Sequence, residues 1–240
     1  MISWPHIPQR AAYHDFCDDR SFLGIPNFAN IVSNLVFLYA GIAGFIVLNR
    51  TNGASIGIKL IYWFVFAGFI LTAFGSAYYH FSPDNTTLLS DRLPMTIVFM
   101  GLLAAVIAEG IGTTAGLLAI GPLLAAGAGS VVWWYITELD GAGDLRLYVL
   151  VQYYPFIAIP MILLLFPSDA IRRGWPPLLW AIAWYALAKV TEAEDCPLYA
   201  VLGISGHTLK HLAAGVSCLM LVKRFKVMYR GRAGSESLVY

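Results

Sequence analysis

The sequence predicts an all-α integral membrane protein, a bundle of seven transmembrane helices. Of its 240 residues, 59% are hydrophobic and only 12% are charged, whereas soluble domains carry about 25% charged residues. Seven apolar stretches come close to the roughly 20 residues that a helix needs to cross a bilayer core of about 30 Å. The formal net charge of +1 gives no field that would attract nucleic acid, so we expect the bilayer and its lipids to be the partners of this chain.

The predicted spans follow one another without an internal repeat or a linker, so we expect residues 1–240 to form one domain. The first span begins near Phe28, because the polar residues before it lack the apolar stretch of a cleavable signal peptide. The fourth span contains Gly121, Gly127 and Gly129 among alanines, a composition that favours close helix contacts in lipid. In chain order the spans cover residues 28–49, 60–81, 92–110, 113–135, 146–166, 175–191 and 204–223.

Prolines mark the fifth and sixth spans. Pro155 and Pro160 lie inside the fifth and predict a kink there. The sixth is expected to be short and to begin at Pro176-Pro177. The second span ends, and the third and seventh begin, in polar residues that include three histidines.

The basic residues of short loops predict which way the helices run. Nine lysines and arginines lie in loops on one side of the predicted membrane, and four lie on the other side. We therefore place residues 1–27 outside and residues 224–240, as a tail, in the cytosol. The nine are Arg50, Lys59, Arg172, Arg173, Lys223, Arg224, Lys226, Arg230 and Arg232.

Five polar side chains fall at one predicted depth, near the outer end of three spans. The second span runs outward, so its end lies outside, and the third and seventh run inward, so their beginnings lie outside. Histidines four residues apart share one helix face, and ionisable groups inside a membrane are costly enough to suggest a function. The five residues are Ser76, His80, Asp91, His207 and His211.

These residue types suit a catalytic zinc site. Three imidazoles with an open fourth position are a ligand set of catalytic zinc, and we expect His80, His207 and His211 to bind Zn²⁺. A water molecule at the open position would have its pKa lowered to near 7. Asp91 could take a proton from that water, and Ser76 could hydrogen-bond the water or a substrate oxyanion.

Plainer interpretations remain for the same residues. Ser76 could be a helix-packing hydroxyl, and Asp91 could cap the third span, with Pro94 near its start. A bis-histidine haem fits poorly, because His207 and His211 lie on one face and cannot bind opposite sides of one iron. A seven-helix receptor or sensor with a structural zinc ion is the alternative from another functional class.

The pattern Ser76-x3-His80, then Asp91, then His207-x3-His211 in the last span resembles the alkaline ceramidases. It also resembles the wider superfamily of zinc membrane hydrolases that includes the adiponectin-type receptors. The resemblance implies zinc held by the three histidines, with the serine and the aspartate beside it. It further implies hydrolysis of a ceramide-like or phytoceramide-like lipid amide to a fatty acid and a sphingoid base. Another lipid amide or an ester is the remaining alternative.

The resemblance extends beyond these five residues. Residues 30–34 read N-I-V-S-N, similar to the ceramidase phrase N-T-x-S-N, and residues 75–100 and 203–211 resemble bacterial proteins labelled alkaline phytoceramidase. It implies a disulfide between Cys17 and Cys196, which the predicted topology places together outside, where disulfides persist. Two unpaired thiols are the alternative. We expect a two-chain lipid to enter laterally from the outer, periplasmic or lumenal, leaflet.

The eukaryotic ceramidases also have a calcium-binding N-terminal segment reading D-W-C-E-x-N. The matching stretch here reads D-F-C-D-D-R, so that Arg20 replaces an oxygen ligand by a cation, and Asn27 replaces a later carboxylate. Calcium could bind through Asp15, Asp18 or Asp19, but we favour an ordinary solvated acidic loop.

Overall fold

The computed structural model describes residues 5–230, and all of its regular elements are helices. The first residues of the predicted outer segment, and residues 231–240 of the predicted tail with Arg232, lie outside the described part of the chain. A short 3₁₀ helix, Ala11–His14, precedes the α-helices. In chain order these are α1 Phe28–Val32, α2 Leu35–Arg50, α3 Ile56–Phe81, α4 Asn85–Gly110, α5 Thr113–Leu139, α6 Arg146–Leu165, α7 Asp169–Ala193, α8 Asp195–Leu202 and α9 Gly206–Met228.

Five segments of the described chain are long and apolar enough to cross a membrane: α1 with α2, then α3, α4, α5 and α6. This agrees with the predicted class, an all-α integral membrane protein. The sixth and seventh predicted spans correspond to α7 and α9, which have 25 and 23 residues and carry more charge.

Several helices begin earlier than hydropathy alone predicts, and side chains cap their first turns. Ser55 caps α3, Asp84 forms a capping box with Thr87 at the start of α4, and Ser168 caps α7. The helix that contains the sixth predicted span therefore begins before Pro176-Pro177, and both prolines lie inside α7.

Pairs of long helices pack side by side around the apolar core. The closest pairs are α7 with α9, α3 with α4, and α4 with α5, while α2 packs on α3 and α9. Gly127 makes the predicted close contact, against Thr96 and Met100 of α4. A Cβ added at Gly121 or Gly129 would have no neighbour within 4 Å among the described residues. These contacts bring the end of α3 and the beginnings of α4 and α9 to the same end of the bundle.

A buried ion pair lies at the other end of the bundle. Arg224 is fully buried, and its guanidinium donates to Glu109 at 2.6 Å and to the hydroxyl of Tyr62 at 2.7 Å. We expected Arg224 to lie in a cytosolic tail, but α9 continues to Met228, so this residue joins α9 to α3 and α4 instead.

Candidate metal centre and cavity

Three buried histidines meet where α3 ends and α9 begins. His80 lies in the last turn of α3, and His207 and His211 lie in the first two turns of α9. Each histidine has a ring nitrogen that lies within 4.8 Å of a ring nitrogen of the other two. The Nε2 atoms of His80 and His211 are 3.3 Å apart. The structure therefore brings together the three histidines that the sequence predicts to bind one metal ion.

The orientation of the His211 ring is set by a serine between α1 and α2. The hydroxyl of Ser33 donates to the backbone oxygen of Asn30 at 2.9 Å and lies 2.7 Å from Nδ1 of His211. Because its single proton points at Asn30, Ser33 accepts the hydrogen from Nδ1 of His211. The lone pair of His211 is then on Nε2, the atom that faces His80. Hydrogen bonds of this kind hold metal-binding histidines in position.

The donor set fits a zinc-type ion. Two nitrogens that bind one tetrahedral zinc ion at about 2.0–2.1 Å lie about 3.3 Å apart, close to the distance between the Nε2 atoms of His80 and His211. Nδ1 of His80 is buried without a hydrogen-bond partner in the described part of the chain. An unpaired buried polar atom is destabilising, so the His80 ring lacks the partners expected of a purely structural histidine.

Ser76 and Asp91 lie next to the histidines. Both are buried, both line the same cavity as His211, and the Ser76 hydroxyl lies near the Asp91 carboxyl group. The alternative interpretation of Asp91 as a helix cap is wrong, because Asp84 caps α4 and Asp91 lies in the second turn of that helix.

The N-terminal segment covers the histidines. The ring of Phe16 packs edge-on against both His80 and His207, with centroid distances of 4.6 and 4.7 Å. The next residue, Cys17, forms a disulfide with Cys196 at the start of α8, as the sequence predicts. The carboxylate of Asp195 accepts from the backbone NH groups of Cys17 at 3.2 Å and of His207 at 2.8 Å. The segment is thus fixed to the start of α9.

The acidic loop beside this disulfide is only partly solvated. Asp15 and Asp19 are exposed, as expected, but Asp18 is buried and accepts from the Arg20 guanidinium at 2.7 and 2.8 Å. The hydrogen bonds from Arg20 hold the pKa of Asp18 below its ordinary value. The amide of Asn27 donates to the backbone oxygen of His80 at 2.9 Å. Two of the residues considered for calcium thus have contacts within the chain.

A cavity of about 300 Å³ runs from this site into the bundle. Ser76, Asp91 and His211 line its polar end, and apolar side chains from α4, α6, α7 and α9 line the rest, as far as Leu221. The backbones of α6 and α7 approach each other at few points. Tyr185 of α7 bridges them by accepting from Gln152 at 2.6 Å and stacking on Phe156.

Sequence reasoning missed three charged residues on the cavity wall. Lys210 donates to Nε2 of His207 at 2.7 Å and to Glu192 at 3.2 Å, and Glu192 also pairs with Lys189. All three line the cavity. Lys189 and Lys210 lie inside the predicted spans 175–191 and 204–223, so the available signal was a charge in an apolar segment. Ser33 was part of the family-like phrase at residues 30–34, but no role followed from it.

Comparison with known protein families finds a match over most of the described helices up to α6. The model of the family described as Ceramidase matches residues 9–166, which is more than half of the chain. The matched part contains Cys17, Ser76, His80 and Asp91, whereas His207 and His211 follow after its end. No curated protein and no solved structure matches the chain.

Proposed function

The chain belongs to the ceramidase family, and on that premise we propose that it is a zinc-dependent hydrolase of lipid amides within the membrane. The leading substrate class is ceramide or phytoceramide, an N-acyl sphingoid base cleaved to a fatty acid and the free base. The observation that carries the proposal is the position of three buried histidines beside Asp91 and Ser76, at the polar end of an apolar cavity.

His80, His207 and His211 would hold the metal. A zinc ion there would act as a Lewis acid, which polarises a carbonyl group and makes water a stronger nucleophile at neutral pH. The Phe16 ring against two of the imidazoles, together with the disulfide beside it, would limit the access of bulk water.

Asp91 and Ser76 would take part in the proton transfer. Hydrolysis adds water to the carbonyl carbon, breaks the C–N bond and moves one proton to the departing amine. The Asp91 carboxylate lies on the cavity wall, where it would take the proton from water and later deliver it to the nitrogen. The Ser76 hydroxyl, beside Asp91, would orient that carboxylate or donate to the oxygen of the reacting carbonyl.

The apolar part of the cavity would hold the acyl chain. It extends along α9 from His211 to Leu221, about 15 Å at 1.5 Å per residue. The sparse contact between α6 and α7 favours this seam as the lateral entrance for a lipid. Tyr185 and its partners Gln152 and Phe156 lie at the seam.

We also propose that α7 and α9 cross the membrane, which makes seven spans in one domain. With 25 and 23 residues they measure about 38 and 35 Å, enough for a hydrocarbon core of about 30 Å. The loop charges then favour a site near the periplasmic or lumenal face.

The test is fatty-acid release by purified protein from a panel of N-acyl lipids, with and without a chelator. A hydrolase should release fatty acid and lose that activity on chelation. A receptor with a structural metal ion should give no metal-dependent product, and chelation should only lower its thermal stability.

A further inference from the structure

Two lysines share one carboxylate on the wall of the cavity. Nζ of Lys210 lies 3.2 Å from Oε1 of Glu192, and Nζ of Lys189 pairs with Oε2 of the same residue. We call these residues the Lys189–Glu192–Lys210 cluster. Each member keeps some exposure, between 15% and 36% of its side chain, so a ligand in the cavity can reach it.

This cluster has more hydrogen-bond donors than acceptors. Each ammonium group has three donors and no acceptor. Glu192 offers two oxygens, and one of them also accepts from the hydroxyl of Tyr13 at 3.3 Å. The second acceptor for Lys210 is Nε2 of His207, on a ring that would be engaged whenever a metal is bound. The cluster therefore suits a ligand that carries only acceptors.

A guanidinium on the same cavity adds to the excess of positive charge. Arg92 lines the cavity and is buried against the rings of Trp134 and Tyr148. Its Nη2 donates to the Gln9 side chain at 2.6 Å, and its Nη1 is buried without a hydrogen-bond partner within residues 5–230. No carboxylate of the described chain pairs with it.

The charges that line the cavity do not cancel. Arg92, Lys189 and Lys210 carry positive charge, whereas Asp91 and Glu192 carry negative charge, and a bound metal ion would add positive charge. Unbalanced charge inside a membrane is costly. The hydroxyl groups of a neutral ceramide would not offset it, but an anionic group would.

We propose that the Lys189–Glu192–Lys210 cluster is an anion subsite, and that the substrate is an N-acyl lipid with an anionic group beside its amide, on the headgroup side. The inference rests on the proposed amide hydrolysis and, among lipid amides, favours acidic N-acyl lipids over the neutral ceramides named above. The same chemistry would also bind the carboxylate of a released fatty acid, so the experiment must separate substrate from product.

The test compares two lipids with the same acyl chain, a neutral N-acyl sphingoid base and an N-acyl amino acid with a free carboxylate. Wild-type protein should use the acidic lipid with a kcat/KM at least about tenfold higher, as one charge-assisted hydrogen bond would give. Lys189→Gln should remove most of that preference by raising KM for the acidic lipid, and Lys189→Arg should keep it. The matched control is Lys223→Gln, at an exposed position near the other end of α9. It should change neither the preference for the acidic lipid nor the KM for that lipid.

Equal or better use of the neutral lipid by wild-type protein would overturn the proposal, as would equal effects of Lys189→Gln on both lipids. If neither lipid is hydrolysed, the proposed function fails, and equilibrium binding to Asp91→Asn protein then decides on the subsite. The labelled N-acyl amino acid should bind about tenfold more weakly after Lys189→Gln. The assignment of the substrate class would be overturned if Lys189→Gln left the binding of the N-acyl amino acid unchanged. It would also be overturned if the substitution weakened the binding of free fatty acid alone.

Discussion

The hydroxyl of Ser33 lies 2.7 Å from Nδ1 of His211, across a sequence separation of 178 residues. Because Ser33 donates its own proton to Asn30, it accepts the imidazole hydrogen and leaves the other ring nitrogen free for a metal. Asn30 is itself tied to α9, since its side chain accepts from Thr208 at 2.8 Å. The joint between α1 and α2 thus positions a candidate ligand on α9.

Ser33→Ala should weaken zinc binding by about 10–100-fold, the usual effect of losing a partner that orients a metal-binding histidine. Zinc affinity can be measured by competition with a chromogenic chelator. Ser130→Ala is the control, because Ser130 is equally buried but donates only to the backbone of Gly127 on α5. Equal affinities of Ser33→Ala and wild-type protein would show that Ser33 does not orient the ligand.

Asp91→Asn should reduce fatty-acid release by about 10²–10⁴-fold, because an amide cannot accept a proton from water. The zinc content should stay close to the wild-type value, since Asp91 is assigned to the proton and not to the metal. Steady-state turnover and metal analysis on the same preparation check both points. Loss of zinc together with activity would make Asp91 a ligand, and undiminished turnover would reject both roles.

The Cys17–Cys196 disulfide should be present in protein prepared without reductant. Alkylation of the denatured, non-reduced protein should then label one thiol per chain, Cys218, and reduction should expose all three cysteines. The bridge closes a loop with a sequence separation of 179 residues, for which chain entropy gives about 5 kcal/mol. Since the helices already confine both ends, Cys17→Ser should lower the free energy of unfolding by less than that. Three labelled thiols before reduction would exclude the bridge.

Acid should destabilise the loop between α5 and α6. The Asp144 carboxylate accepts hydrogen bonds from the Arg146 side chain. These hydrogen bonds are the main reason why the pKa of Asp144 lies well below its ordinary value. A depressed pKa in the folded state adds stability above the unfolded pKa of about 3.9, and that stability is lost as the pH falls toward the folded pKa.

The unfolding temperature of Asp144→Asn protein in detergent should therefore lie below wild type at pH 7, and the difference should shrink as the pH falls below about 4. Asp140→Asn, an exposed site in the same loop, should behave like wild type throughout. If the difference in unfolding temperature stays constant across the whole pH range, Asp144 acts through something other than its charge.

The histidine cluster could be predicted from the sequence because its geometry follows from helix rules. A spacing of four residues puts His207 and His211 on one face, and the alternation of spans brings the end of α3 to the start of α9. The beginnings of α4 and α7 could not be found by hydropathy, because Asp84 and Ser168 extend these helices through polar first turns.

The remaining site residues depend on packing between distant segments. Nothing in the sequence joins Glu192 to Lys210, which are in contact because α7 lies along α9. Likewise, Glu109 and Arg224 form a buried pair, although Arg224 alone looks like an ordinary cytosolic charge. Such contacts become visible only when the helix pairs are known.

Metal analysis of purified protein tests the central claim most directly. Wild-type protein should carry about one zinc ion per chain, the stoichiometry of a single three-histidine site. The double variant His207→Ala/His211→Ala should lose most of it, while His6→Ala, at an exposed position in the N-terminal segment, should retain it. Full zinc retention in the double variant would contradict the assignment of the metal centre to His80, His207 and His211.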